Sequence, residues 1–335
     1  MSNLIVERAG PAVSLQDAGR IGHLGIGLSP GGAADRLGYL EALALLDLPL
    51  GTAVIEFAGL GGRFRFESAA RFSLAGASMR ATLDGAPVEG MAGHFAPAGA
   101  VLDVAAITKG VYGYLAIGGG LATPEEFGGR GYHRIGGFGR PLEAGNRLPL
   151  GPDMALAAPP MRLVREARIG PLRVMPGPQT GLFTPDVREA FEAAAFVRSP
   201  RANRQGVRLD HDGAPFSVGA QLNQVSDFIV EGDIQMTGGG TPYVLLADCQ
   251  TIGGYPRIGT VLPADMHRVA QAMAGDVLRF RFVSEGEAQA VWMSGDARLQ
   301  RLKAARVPRV RDPREMADLL AYNLVDRPSN EVLGD

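Results

Sequence analysis

The chain has little sulfur or amine chemistry to offer. Cys249 is the single cysteine in 335 residues, which excludes an internal disulfide and any cysteine-built zinc site and fits a reducing compartment, the cytoplasm. Lys109 and Lys303 are the only lysines, so nearly all positive charge is carried by arginine and most lysine chemistry is removed. No GxxxxGK stretch ending in Ser or Thr occurs, and a P-loop is therefore excluded. His23, His94, His133, His211 and His267 show neither HxH nor HxxxH spacing, and no metal site is expected from them. A formal charge of −2 supplies no positive field to attract nucleic acid or an anionic membrane. No window approaches eighteen uninterrupted apolar residues, and MSNLIVERAG lacks the basic start and apolar run of an export signal. The expectation is a soluble, unexported, cytoplasmic protein with neither nucleic acid nor membrane as partner.

What abounds is punctuation. Glycine (47) and proline (23) separate apolar runs of strand length at 52–58, 63–66, 71–75, 101–105, 112–117, 172–175, 243–247 and 277–283. The last alternates Leu278, Phe280 and Phe282 on one face. This spacing predicts a mainly β chain built of sandwich or barrel sheets, not alternating βα units. The length suits two cores, and the unpatterned GPDMALAAPP at 151–160 marks a boundary. The expected division is one β domain over 1–155, a second over 156–300, and a helical extension over 301–335. Helices are predicted at 35–48, where Leu37, Leu40, Ala44 and Leu48 make one apolar face, and at 185–195 and 285–305. A final helix is predicted at 313–325, capped by Asp312, opened by Pro313 and striped by Met316, Leu319, Leu320 and Leu324. Trp292 is expected in the core or at an interface.

Two segments concentrate polar groups. Late in the chain, Asp248, Gln250 and Thr251 stand just before Gly253 and Gly254, with Tyr255 and Pro256 stiffening the exit. That turn is either a polar hairpin capping its own backbone or a set of held groups open to close approach by a ligand. Cys249 within it reads as a small buried side chain. Early in the chain, Gln16, Asp17 and Arg20 precede a glycine-rich run that ends at Asp35. An amide, a carboxylate and a guanidinium beside permissive backbone suit a small amide-like substrate. Equally, Asp17 and Arg20 would serve as an ion pair tying down the loop, with Asp35 an ordinary helix cap.

Order and spacing join these segments to further motifs: Gln16-Asp17-Ala18-Gly19-Arg20, Gly27, Gly32, Asp35, Glu56 in VIEF, Gly76-Ala77 and Leu83-Asp84-Gly85. There follow YLAIGGG at 114–120, GGFGRPLEAG at 136–145, PGPQ at 176–179, RQGVRL at 204–209, GDIQ at 232–235 and ADCQTIGGYPRIGTV at 247–261. Over roughly residues 4–290 the chain resembles the family of the 5-oxoprolinase C-subunit, also described as allophanate hydrolase subunit 2 or as the urea amidolyase-related, biotin-dependent carboxyltransferase family. It departs from that pattern at Leu43, Asp47-Leu48, Gly129, Gly131, Ala202-Asn203 and Asn146.

The resemblance implies two cyclophilin-like β-barrels and a role as one subunit of a multi-component enzyme. Its partners would be a smaller barrel subunit and a third chain. One chemistry it implies is ATP-dependent opening of the 5-oxoproline lactam to glutamate. Another is carboxyl transfer from carboxybiotin to a urea-like nitrogen, and a third role is that of a non-catalytic binding or regulatory subunit. Neither lysine is flanked by methionine, so biotin would arrive on another chain, and ATP would act in the complex with no P-loop in this chain. A lactam or urea reacts once its carbonyl is polarised and its N–H is accepted by a base. The implied acceptors are Asp17, Asp35 and Asp248. The implied oxygen-polarising and binding groups are Gln16, Arg20, Glu56, Gln235, Gln250, Thr251, Gly253 and Gly254, with Tyr255 stacking on a planar ring.

Overall fold

A computed structural model describes residues 2–165, 169–216 and 226–309, so the helix expected at 313–325 lies outside the described residues. The chain is mainly β. Its apolar runs form two large sheets because each is bounded by glycine or proline and rich in β-branched and aromatic residues.

The first sheet has eleven strands, ordered Val307–Pro308, Met161–Arg162, Ala92–Ala96, Ala70–Leu83, Val101–Ile117, Gly62–Phe66, Asn3–Ala9 and Arg147–Pro149. Val54–Ala58, Ser14–Gln16 and Ala86–Val88 attach beside this path. Its spine is the antiparallel pair Ala70–Leu83 and Val101–Ile117. The sequence separates 101–105 from 112–117. The structure runs through as one 17-residue strand, with register shifts around Ser78 and Met79 on its partner absorbing the irregular middle.

The second sheet has eight strands, ordered Val277–Leu278, Phe196–Asn203, Gly206–Asp210, Pro242–Leu245, Asp233–Met236, Arg257–Val261, Leu172–Met175 and Phe280–Phe282. The run expected as one strand at 277–283 is split at Arg279. Its two halves pair with opposite ends of the sheet, so this run brings the two ends together and nearly closes the sheet on itself.

Helices are few: α1 (Arg36–Leu46), α2 (Pro185–Ala193), α3 (Met266–Gln271), α4 (Glu285–Val291) and α5 (Gly295–Ala304). In place of the single apolar stripe expected, every residue of α1 from Gly38 to Leu46 is buried. It is apolar nearly all round because it lies between the first sheet, on the strands Ala70–Leu83 and Val101–Ile117, and the helices α3 and α5. A continuous core runs from Leu43 and Leu46 of α1 to Phe191, Phe196 and Phe280 of the second barrel, while Phe57, Phe64 and Phe72 fill the first. The helix expected at 285–305 is two helices, because Ser284 and Ser294 each cap a new start. Trp292 falls at the break and is 68% exposed, which excludes the core, one of the two positions expected for it. Among the described residues no helix is long and apolar enough to cross a membrane.

Candidate active site

The early polar segment is anchored by the strand Ser14–Gln16, which pairs with Val54–Ala58 so that Ser14 faces Glu56 and Gln16 faces Val54, with Asp17 just past the strand's end. Asp17 accepts from the backbone N–H groups of Gly19 (2.8 Å), Arg130 (2.5 Å) and Gly131 (3.1 Å). Arg20, 1% exposed, donates to the carbonyls of Glu126 and Gly131 at 2.9 Å and stacks over Phe138. The two side chains do not pair with each other; both brace the loop around residues 126–131. Gln16 donates to the Tyr132 carbonyl at 3.0 Å, and its Oε1 is buried without a partner among the described residues.

Asp35 caps α1, accepting from Leu37 and Gly38 N–H through Oδ1, and from Gln271 Nε2 through Oδ2 at 2.7 Å. Burial raises its pKa above the ordinary carboxylate value, with those donors pulling the other way. Glu56 accepts from Ala34 N–H (2.8 Å) and from the Tyr114 hydroxyl (2.9 Å).

The early and late segments meet at Arg204. Its Nε and Nη2 hold the two oxygens of Asp248 at 2.8 and 2.9 Å, its Nη1 holds Glu56, and Nη2 also donates to the Gly32 carbonyl at 2.5 Å. Burial opposes this guanidinium charge, but Glu56 and Asp248 outweigh it and raise the arginine pKa, so the clamp stays ionic. Sequence reasoning used Arg204 only as part of a motif. Its signal, a basic residue at the head of a strand that opens with Gly206, does not by itself distinguish a clamp from a surface arginine.

Three hollows surround this junction. A cleft of about 1090 Å³ has Asp248 and Arg204 in its wall, with Tyr112, Tyr132 and Arg134 from the first sheet's side and Arg198 from the second. A pocket of about 540 Å³ gathers Gln235, Gln250 and Tyr255, and Gln235 Nε2 is buried there without a partner among the described residues. A smaller hollow of about 270 Å³ joins Gln250 and Thr251 to Ser29 and His133. Gly253 lies in a short ladder with Asp227–Phe228, and a side chain there would meet Gln235 Nε2 at 2.7 Å. Neither Gly253 nor Gly254 adopts a positive φ, so close approach and not unusual backbone explains the first of them. Asp17, Arg20, Asp35, Gln16 and Glu56 line none of these three hollows.

Ser29 and His133 were not picked out as site residues from sequence. Both are buried, with Ser29 Oγ 3.0 Å from His133 Nε2. Gly136 N–H donates to His133 Nδ1 at 2.9 Å, which puts the ring proton on Nε2 and makes the serine oxygen its acceptor. The Ser29 hydroxyl hydrogen is left to donate elsewhere. The residues lie 104 positions apart, and no local pattern announces them.

A family model described as "Carboxyltransferase domain, subdomain A and B" matches residues 26–282. The chain is 33% identical over 286 residues to the 5-oxoprolinase C-subunit of Escherichia coli, covering 83% of this chain and 90% of that one. It is 30% identical over 285 residues to the 5-oxoprolinase C-subunit of Haemophilus influenzae, covering 82% and 89%. Among solved structures, TTHA0988 superposes with a TM-score of 0.74 at 29% identity over 85% of this chain, which spans 56% of that longer chain. The urea amidolyase of K. lactis shares the fold at a TM-score of 0.80 and 23% identity, over 93% of this chain and 21% of that one. With most of its length matched by one family model and by relatives of nearly its own size, this chain belongs to the carboxyltransferase-domain family that includes the 5-oxoprolinase C-subunit.

Proposed function

We propose that this chain is one subunit of a multi-component, ATP-dependent enzyme that opens a small amide, with the lactam of 5-oxoproline as substrate and glutamate as product. The observation that carries this reading is the Arg204 clamp, which fixes Asp248 in the wall of the inter-barrel cleft, in a chain that matches the 5-oxoprolinase C-subunit over most of its length. Asp248 then serves as acceptor for the amide N–H, since each of its oxygens keeps a lone pair beyond the bond from Arg204. Gln235 and Gln250 supply carbonyl donors and Tyr255 an aromatic face, with Thr251 and Gly253 shaping their approach. Asp17, Arg20, Gln16, Asp35 and Glu56 act by position, holding the 126–136 loop and the start of α1. A smaller homologous barrel subunit and a third chain are the proposed partners.

ATP supplies the activation of the amide. This chain has no P-loop sequence to hold its phosphates. ATP is assigned to another subunit. Carboxyl transfer to a urea-like nitrogen is the second reading, favoured by the description of the matched family. Biotin would then be carried on another chain, since Lys303 is paired with Asp47 at 2.7 Å and Lys109 sits within the strand Val101–Ile117. The test is an ATP-dependent assay of 5-oxoproline and of urea with the assembled complex and with each subunit omitted. Loss of lactam opening when this chain is omitted, and with Asp248→Asn, supports the proposal. Unchanged turnover without this chain overturns it and leaves a binding or regulatory role.

A further inference from the structure

The charges lining the 1090 Å³ cleft do not balance. Its wall carries Arg134, Arg198 and Arg204 against one acid, Asp248, and that acid is already committed to Arg204. Arg204 is further committed to Glu56. Arg134 and Arg198 have no ion-pair partner among the described residues. Arg198 is the more telling. It is half-buried on the strand Phe196–Asn203, beside the point where the pairing with Gly206–Asp210 slips out of register. Its Nη1 reaches only the Ser199 carbonyl, at 2.9 Å, and its Nε is buried without any partner among the described residues. Burial works against its charge; Tyr112 and Asp276 work for it, but Asp276 does not line the cleft and accepts from the N–H of Met273. A guanidinium desolvated without a counter-ion is costly unless a ligand completes it.

We propose that Arg198 and Arg134 form a carboxylate-binding subsite in the inter-barrel cleft, so that the amide taken there is one that carries its own carboxylate. This rests on the amide reading above and narrows it toward an acidic lactam and away from neutral urea. The guanidinium fork presents two parallel N–H donors that match a carboxylate. Tyr112 lies within electrostatic reach of Arg198, Arg204 and Asp248 together, so a ligand anchored at Arg198 brings its amide past Tyr112 toward Asp248. A phosphate on the same guanidinium would be the competing source of negative charge.

The experiment has two arms. In the first, the full chain is titrated with L-5-oxoproline, with its neutral decarboxylated analogue 2-pyrrolidinone, and with inorganic phosphate, for wild type and the Arg198→Gln, Arg134→Gln and Arg198→Lys variants. Wild type should bind oxoproline more tightly than pyrrolidinone. Arg198→Gln should shrink that preference about 10- to 100-fold, and Arg198→Lys should shrink it less. An unchanged preference, no oxoproline binding to wild type, or phosphate binding as tightly as oxoproline would each overturn the subsite. In the second arm, the assembled complex is assayed for the ratio of kcat/KM between the two lactams, which should fall in parallel in Arg198→Gln, mostly through KM. A wild-type complex inert to both lactams, with Arg198-dependent oxoproline binding intact, would sink the amide-opening reading and leave the subsite standing. Thermal melts of each variant establish that it is folded, and Arg134→Gln, at an exposed position, provides a second route should Arg198→Gln unfold.

Discussion

Glu41, buried in the middle of α1, is gripped by Arg165 through both of its carboxylate oxygens, with Arg165 Nε 2.8 Å from Oε1. Burial outweighs the arginine and pushes the carboxyl from 4.5 up to about 7. A carboxyl raised in the folded state binds its proton more tightly there than in the unfolded chain. Its contribution to stability is therefore fully present below about pH 4.5 and is lost as pH rises through about 7. Urea unfolding midpoints of wild type should fall across that window relative to Glu41→Gln, which does not titrate. Parallel profiles for the two proteins would show that the carboxyl is ionised throughout.

Arg204 holds Asp248, Glu56 and the Gly32 carbonyl, so its removal strands two carboxylates at once. Arg204→Met keeps most of the volume and deletes the charge. Removing one partner of a buried pair costs about 3–5 kcal/mol, and that is the expected loss of unfolding free energy. A loss below about 1 kcal/mol would mean that water already reaches the clamp.

The reach and the limits of the sequence are both visible at this arginine. Strand-length runs between glycines announced a mainly β chain, and the motifs announced its family, because local punctuation and spacing are properties of neighbouring residues. Closure of the second barrel was not legible. It depends on Arg279 separating two short strands whose partners, Phe196–Asn203 and Leu172–Met175, lie far back in the chain and at opposite ends of the strand order. The complete burial of α1 was hidden for a similar reason, since a second packing surface arrives only when α3 and α5 fold over it. In the site, residue type drew attention to Asp17 and Asp35, yet their oxygens are occupied by backbone N–H groups and by Gln271. Arg198 and His133 carry no local pattern. Their interest comes from what they lack or touch across the cleft and the smaller hollow.

Gly31 separates backbone strain from site geometry. It sits at φ +61, and a Cβ there would lie 2.6 Å from the His133 ring and 3.6 Å from Asp248 Oδ1. Gly27 has φ +82, yet its added Cβ would meet nothing nearer than Thr251 at 4.0 Å. Alanine at either position should cost about 1–3 kcal/mol for the left-handed backbone. Gly31→Ala should in addition displace His133, crowd the proposed acceptor Asp248, and lower lactam turnover in the assembled complex at least about tenfold, the scale of a misplaced acceptor. Equal turnover in the two variants would mean that the Gly31 side of Asp248 is not used by the substrate.

Cys249 stands between the 540 and 270 Å³ hollows and lines both, yet it should be inert. It is 3% exposed, and burial, reinforced by Glu231, Asp233 and Asp248, pushes its thiol up to about 12. The thiolate is the reactive species, so at pH 8 the fraction available is on the order of 1 in 10,000. Iodoacetamide at pH 8 should leave the native chain unlabelled over hours, by intact mass, and label it once in urea beyond the unfolding transition. Complete native labelling within minutes would mean that the thiol is ionised and reachable. Cys249 would then have to be counted among the reactive groups of the late turn, beside Asp248 and Gln250.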